Sequence, residues 1–201
     1  IMLLSNITFL SCSDDDKVEQ APVSDTSLKE AKSILQDSIE LNARAMEGTV
    51  DKTLLKDGCP LKYFFSWKGD SLNIQIRHFS VGNMPLTITF SINCKIMQLN
   101  SWEKDEYKGD GWIKFEGENG ITSYIGNTSD YSDGTGGAGT VTGYLNVNTD
   151  EVEFETQFNV MNFSADVYQQ KIDKSRIVNY DRDFTKYEAD LIAYKKAHGL
   201  L

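Results

Sequence analysis

Histidine and cysteine are the scarce reactive side chains of this 201-residue chain, and their spacing assembles no catalytic constellation. His78 shares the parity of Ile74 and Ile76 in an alternating run, which points to a packed imidazole. His198 falls at the end of a helical pattern, where a cation meets the helix dipole favourably. Cys59 and Cys94 lack the CxxC spacing of a zinc site. Cys94 lies on the apolar side of a strand pattern, so a buried thiol is expected ahead of a disulfide, which an oxidising compartment would permit. No Gly-x-Ser-x-Gly elbow, His-Glu-x-x-His or P-loop occurs. The glycine-rich run from Gly134 to Gly139 lacks the Lys-Ser/Thr that would hold a phosphate. Asn127–Gly134 offers oxygen ligands, but Tyr131 breaks the EF-hand spacing. Carboxylates gather in turns, and Glu153 and Glu155 alternate outward from the Val152/Phe154 face, so solvated surface is their expected place. No metal or cofactor is expected, and the chain reads as non-catalytic.

Three aromatic residues are the positive signal. Trp102, Tyr107 and Trp112 lie in and beside a polar segment, residues 100–111, with charges between them. A flat apolar face with a polar handle suits a binding surface, for a glycan or for a protein. The formal charge of −10 repels phosphate backbones, and no basic patch carries interleaved aromatics, so nucleic acid is excluded as a partner.

A third cysteine belongs to a different chemistry. Residues 1–11 carry no charge and are mostly apolar; polarity then switches abruptly at Cys12-Ser13-Asp14-Asp15-Asp16. This order fits the back half of a signal peptide, and the apolar stretch is shorter than the ~20 residues a membrane-spanning helix needs. Phe9-Leu10-Ser11-Cys12 resembles a bacterial lipobox, with Phe9 departing from the usual Leu, and the acidic run resembles the export tag of Bacteroidetes surface lipoproteins. The resemblance implies cleavage before Cys12, acylation of that residue and a place on the outer membrane, exposed at the cell surface. Two or three acyl chains make such anchoring stable, at ~0.8 kcal/mol for each buried CH₂. Residues 1–11 are then a signal remnant, 12–26 a lipidated cysteine with a flexible acidic tether, and 27–201 a single β-rich domain.

The elements that must position these residues follow from periodicity. Ser27 with Glu30 has the pattern of a capping box, and Leu28, Ala31, Leu35, Ile39, Asn42 and Met46 recur at helical spacing, which predicts a helix over 28–47. The period then changes to 2. Runs at 62–67 and 71–80 flank Lys68-Gly69-Asp70 as a hairpin. The strongest run alternates Leu86, Ile88, Phe90, Ile92, Cys94 and Ile96 with polar residues, placing a sheet over a core on one side and water on the other. Strands at 112–116 and 121–125 are expected around a Gly117–Gly120 turn, and a mobile loop over 127–139. A last hairpin joins 140–147 to 152–167, where a change of phase predicts a β-bulge at Val160-Met161. Helical spacing returns from about Arg182 to His198.

Two stretches, Ser71–Ile96 with its Gly-Asn-Met-Pro break and Val141–Val167 containing Val160-Met161-Asn162-Phe163, resemble Bacteroidetes calycin-like lipoproteins. The resemblance implies a mainly β fold, a curved antiparallel sheet as a calycin-like barrel or a two-sheet sandwich, with N- and C-terminal α-helices. It implies no activity. Two functions remain in view: a membrane-anchored binding or accessory domain for a small apolar ligand or a glycan, or a structural partner in a cell-envelope complex.

Overall fold

Alternating burial sets the architecture of this computed structural model, which describes residues 20–160 and 167–201, with side chains of 167–175 left aside. The elements run α1 (Asp25–Ile34), β1 (Asp37–Glu47), β2 (Val50–Asp51), β3 (Cys59–Lys68), β4 (Ser71–Phe79), β5 (Leu86–Met97), α2 (Glu103–Glu106), β6 (Trp112–Gly126), β7 (Gly134–Thr135), β8 (Gly139–Asn146), β9 (Val152–Asn159), β10 (Val167–Arg176) and α3 (Tyr180–Ala197). Setting aside the two-residue strands β2 and β7, the long strands pair antiparallel in chain order, from β1 and β3 round to β9 and β10. β10 then pairs with β1, from Leu41↔Arg176 to Glu47↔Tyr168, so the sheet closes on itself. The mainly β fold and its flanking helices agree with the sequence expectation. Of its two forms, the strand pairing selects a barrel, in which each of the eight long strands has a neighbour on both sides.

The inward residues fill the barrel. Phe154 lies edge-on to Tyr63 at 5.2 Å, Phe65 at 6.3 Å and Phe115 at 5.8 Å. Farther along, Phe158 packs against Phe79 at 5.5 Å and Phe90 at 5.2 Å. Edge-to-face pairs contribute about 0.5–1.5 kcal/mol beyond the area they bury. Cys59 and Cys94 are buried free thiols, and burial pushes both up to about 12. Gly143 is the close-approach point: a Cβ there would stand 2.2 Å from the Phe115 ring.

The helices cover the barrel. α1 is capped by Ser24, whose hydroxyl accepts from the Ser27 N–H at 3.1 Å, not by Ser27 as the capping-box pattern suggested. It leads its buried Ala31 and Leu35 to the end of the barrel where Trp67 donates to the Leu35 carbonyl at 2.6 Å. α3 starts from Asn179, which caps through its side chain, and buries Tyr187, whose hydroxyl accepts from the Gly82 N–H at 2.9 Å.

Several expectations are corrected. The helix over 28–47 ends at Ile34; Asp37 takes a φ of 57° and the chain becomes β1, with Ile39, Leu41, Ala43 and Ala45 inward. That segment satisfies both periods, and pairing to β3 and β10 decides between them. Gly117–Gly120 is no hairpin but a bulge within the single strand β6, with Asn119 at φ 63° and register shifts against both neighbours. Glycines suit the bulge because a Cβ on Gly120 would lie 2.4 Å from the Phe90 ring. His78 is exposed, since a one-residue register shift in β4 with φ 53° turns it out of the face of Ile76. β10 is a strand that its polar sequence did not announce. The expected bulge at Val160-Met161 falls in part outside the described residues.

Candidate functional site

The outer face of the β8–β9 hairpin carries the most developed polar arrangement among the described residues. Pairing places Lys114 of β6 opposite Tyr144 of β8, and Tyr144 opposite Glu153 of β9. The next outward row runs from Glu116 to Thr142 to Glu155. Side chains directly opposite on one face lie ≈ 4.5–5.5 Å apart at Cβ, so these two rows form a continuous surface.

The loop between β5 and β6 folds over it. Asn100 and Glu103 cap α2 reciprocally: the Glu103 N–H donates to Asn100 Oδ1 at 2.8 Å, and the Asn100 N–H donates to Glu103 Oε2 at 2.9 Å. This is a capping-box arrangement with Asn in place of Ser or Thr. It buries the Glu103 carboxylate, which is 1% exposed, and three further donors reach it. Lys114 Nζ stands at 2.9 Å and the Tyr144 hydroxyl at 3.0 Å, both on Oε1, and Gln20 Nε2 donates to Oε2 at 3.3 Å. Burial raises the Glu103 carboxyl, but the Asn100, Lys114 and Tyr144 hydrogen bonds together outweigh it and hold the group below its ordinary range.

Tyr107 follows from this anchored turn. Its ring stacks on Tyr144 with centroids 3.9 Å apart and planes 20° from parallel, and meets Trp112 at 4.9 Å. The Tyr107 hydroxyl donates to Glu153. Burial raises both phenols, with the carboxylates beside them adding to the shift: Glu153 for Tyr107 and Glu103 for Tyr144. Both are therefore neutral O–H donors at physiological pH.

Tyr107, Tyr144, Thr142, Glu106, Glu153, Glu155 and Phe154 line a cleft of about 340 Å³ beside this stack. Its aromatic wall is the Tyr107–Tyr144 stack, in which Tyr107 is 7% exposed, and its polar groups are mostly acceptors. The three sequence-selected aromatics thus separate. Tyr107 lines the cleft and Trp112 backs it through the Tyr107 ring, whereas Trp102 is 68% exposed and stands outside it. Glu153 and Glu155, expected on solvated surface, are half-buried cleft residues. Glu103 went unselected although Asn100-x-x-Glu103 is a readable cap signal. Tyr144 carries no signal in the sequence, and only register brings it under Tyr107. No group of His, Cys, Asp and Glu among the described residues could hold a metal ion.

A family model described as a domain of unknown function, DUF4903, matches residues 12–199. No curated protein and no solved structure matches the chain.

Proposed function

The chain belongs to the DUF4903 family, a domain of unknown function, and we propose from its sequence and geometry that it is a membrane-anchored, non-catalytic protein binding a glycan on the outer face of β8 and β9. The observation that carries the ligand reading is the cleft walled by the Tyr107–Tyr144 stack and edged by Glu153 and Glu155. A sugar presents C–H faces to aromatic rings and a ring of hydroxyl donors to carboxylates, and this cleft offers both partners. Such sites combine apolar walls with a few convergent polar groups. A small apolar ligand inside the barrel is the weaker alternative, because Phe154, Phe158 and their aromatic neighbours occupy the interior.

The anchoring half of the proposal rests on the sequence: the apolar run, Leu10-Ser11-Cys12 and the acidic residues after it. Acylated Cys12 would hold the protein at the outer membrane, facing out. Mass spectrometry of the native N-terminus tests this; an unmodified Cys12 with residues 1–11 still attached would end it.

For the ligand, a Cys12→Ser chain screened against oligosaccharides should bind one class saturably, and Glu155→Gln with Thr142→Val should weaken that binding at least tenfold without changing stability. Saturable binding that ignores both substitutions would move the site elsewhere. A second reading, a structural partner in an envelope complex, draws on Ile121 and Ile125, 76% and 54% exposed on β6. It requires one stoichiometric partner from solubilised membranes, lost on Ile121→Asp.

A further inference from the structure

The place where the chain enters the barrel fixes which end can face a membrane. Ahead of α1, the Gln98 N–H donates to the Ala21 carbonyl at 3.1 Å, and Gln20 Nε2 reaches Glu103 at 3.3 Å. The chain is therefore tied to the α2 turn from Gln20 onward, inside the stretch that composition assigned to a tether. Seven residues separate Gln20 from Cys12, and eight residue steps span at most about 28 Å.

The α2 turn lies at the barrel end that also carries α1 and the β3–β4 and β8–β9 turns. The opposite end carries the β4–β5 loop and Ile125, near the end of β6. A strand of twelve residues such as β5, tilted as barrel strands are, covers about 30 Å between the two ends. With the opposite end on the membrane, the whole tether would have to lie fully extended along the barrel wall. With the α2 end there, it needs almost no extension.

Trp102 stands on this turn, directly before Glu103, 68% exposed and outside the cleft. A large indole left in water has no role in the core or in the sugar site. Its apolar body with one N–H donor is the side chain that settles at the headgroup level of bilayers. The surrounding turn carries Lys104 and Lys108 against exposed Asp105, Glu106 and Asp110, so the indole and not charge would make the contact.

We infer that the α2 turn is a membrane-contact surface, with Trp102 seated in the lipid interface and the barrel standing α2-end down. The inference rests on the anchoring of Cys12 proposed above. The cleft then opens on the membrane-proximal shoulder of the barrel.

Brominated-lipid quenching tests it on the lipidated full chain, reconstituted in phosphatidylcholine vesicles. Wild-type protein should lose tryptophan emission to the brominated lipid, and Trp102→Phe should lose much less, because Trp67 and Trp112, at the same end of the barrel, are half-buried. Ile125→Trp in the Trp102→Phe background should add no quenching to it. Vesicle-bound protein quenched equally with and without Trp102, or quenched further on Ile125→Trp, overturns the orientation while leaving anchoring intact. Failure to sediment with vesicles, or equal sedimentation of Cys12→Ser, removes the anchoring and this inference with it.

Discussion

The two faces of the β8–β9 hairpin share one backbone and obey different physics. Inward, Val141, Leu145, Val152, Phe154 and Phe158 are fully or almost fully buried, and Gly143 leaves room for the Phe115 ring. Outward, Tyr144 and Glu153 meet the α2 turn through stacking and hydrogen bonds, with Thr142 and Glu155 beside them along the cleft. Volume constrains the inner face, where one missing methylene leaves a cavity. Partner geometry constrains the outer face, where an isosteric change can remove a bond and leave the shape intact. A single run of alternating residues thus carries both a core and a site.

That contrast can be broken most severely from within. Phe154→Ala should cost about 4 kcal/mol, because three aromatic neighbours lose their common contact; a shift of the urea midpoint at unchanged slope measures it. A smaller loss would mean that the interior collapses into the space.

Next in size is the buried carboxylate beneath the outer face. Glu103→Gln should cost about 3 kcal/mol, as it leaves Lys114 near-buried with only the more exposed Glu116 at 3.4 Å. The pH sign follows from its lowered carboxyl. Stabilisation by Glu103 is complete above the ordinary carboxylate range and disappears as pH falls through the lowered folded value. Wild type should therefore lose stability on acidification more steeply than Glu103→Gln, so thermal melts from pH 7 to pH 3 should bring the two curves together. Parallel curves would show that the carboxylate titrates no differently in the folded state.

Tyr107→Phe probes the outer face without changing its shape. Loss of the hydroxyl donated to half-buried Glu153 should cost about 1 kcal/mol, while the stack on Tyr144 survives. The smallest effect should have the opposite sign. Thr156 lies on the inner face, 0% exposed, and its hydroxyl has no hydrogen-bond partner among the described residues. Thr156→Val should therefore raise stability by up to about 1 kcal/mol. A loss on that substitution would show the hydroxyl to be engaged, and the inner face to be less purely apolar than its neighbours indicate.

Legibility in the sequence followed the same division. β5 was plain because six apolar residues alternate over one uninterrupted run, and the β3–β4 hairpin because Lys68-Gly69-Asp70 sits between two such runs. α3 was readable from its spacing and from Gly199, which takes a φ of 65° just beyond the helix. The segment 37–47 misled because Ile39 and Met46 fit a helix while Ile39, Leu41, Ala43 and Ala45 fit a strand. β10 (Val167–Arg176) has too few apolar residues to show any period. In the candidate site, Tyr107 and Trp112 stood out by type. Glu153 did not, because an outward parity says nothing about what folds over the strand from elsewhere.

From residue order alone came the one-sided strands, the flanking helices, the Cys94 thiol destined for the core and the acidic, phosphate-repelling balance. These depend on side-chain period and composition, which are local. Closure of β1 onto β10, the bulges that turn out His78 and accommodate Gly117–Gly120, and the meeting of Tyr107 with Tyr144 and Glu153 were settled only in three dimensions. They join residues tens of positions apart, and pairing register, which no local pattern encodes, decides which of them touch.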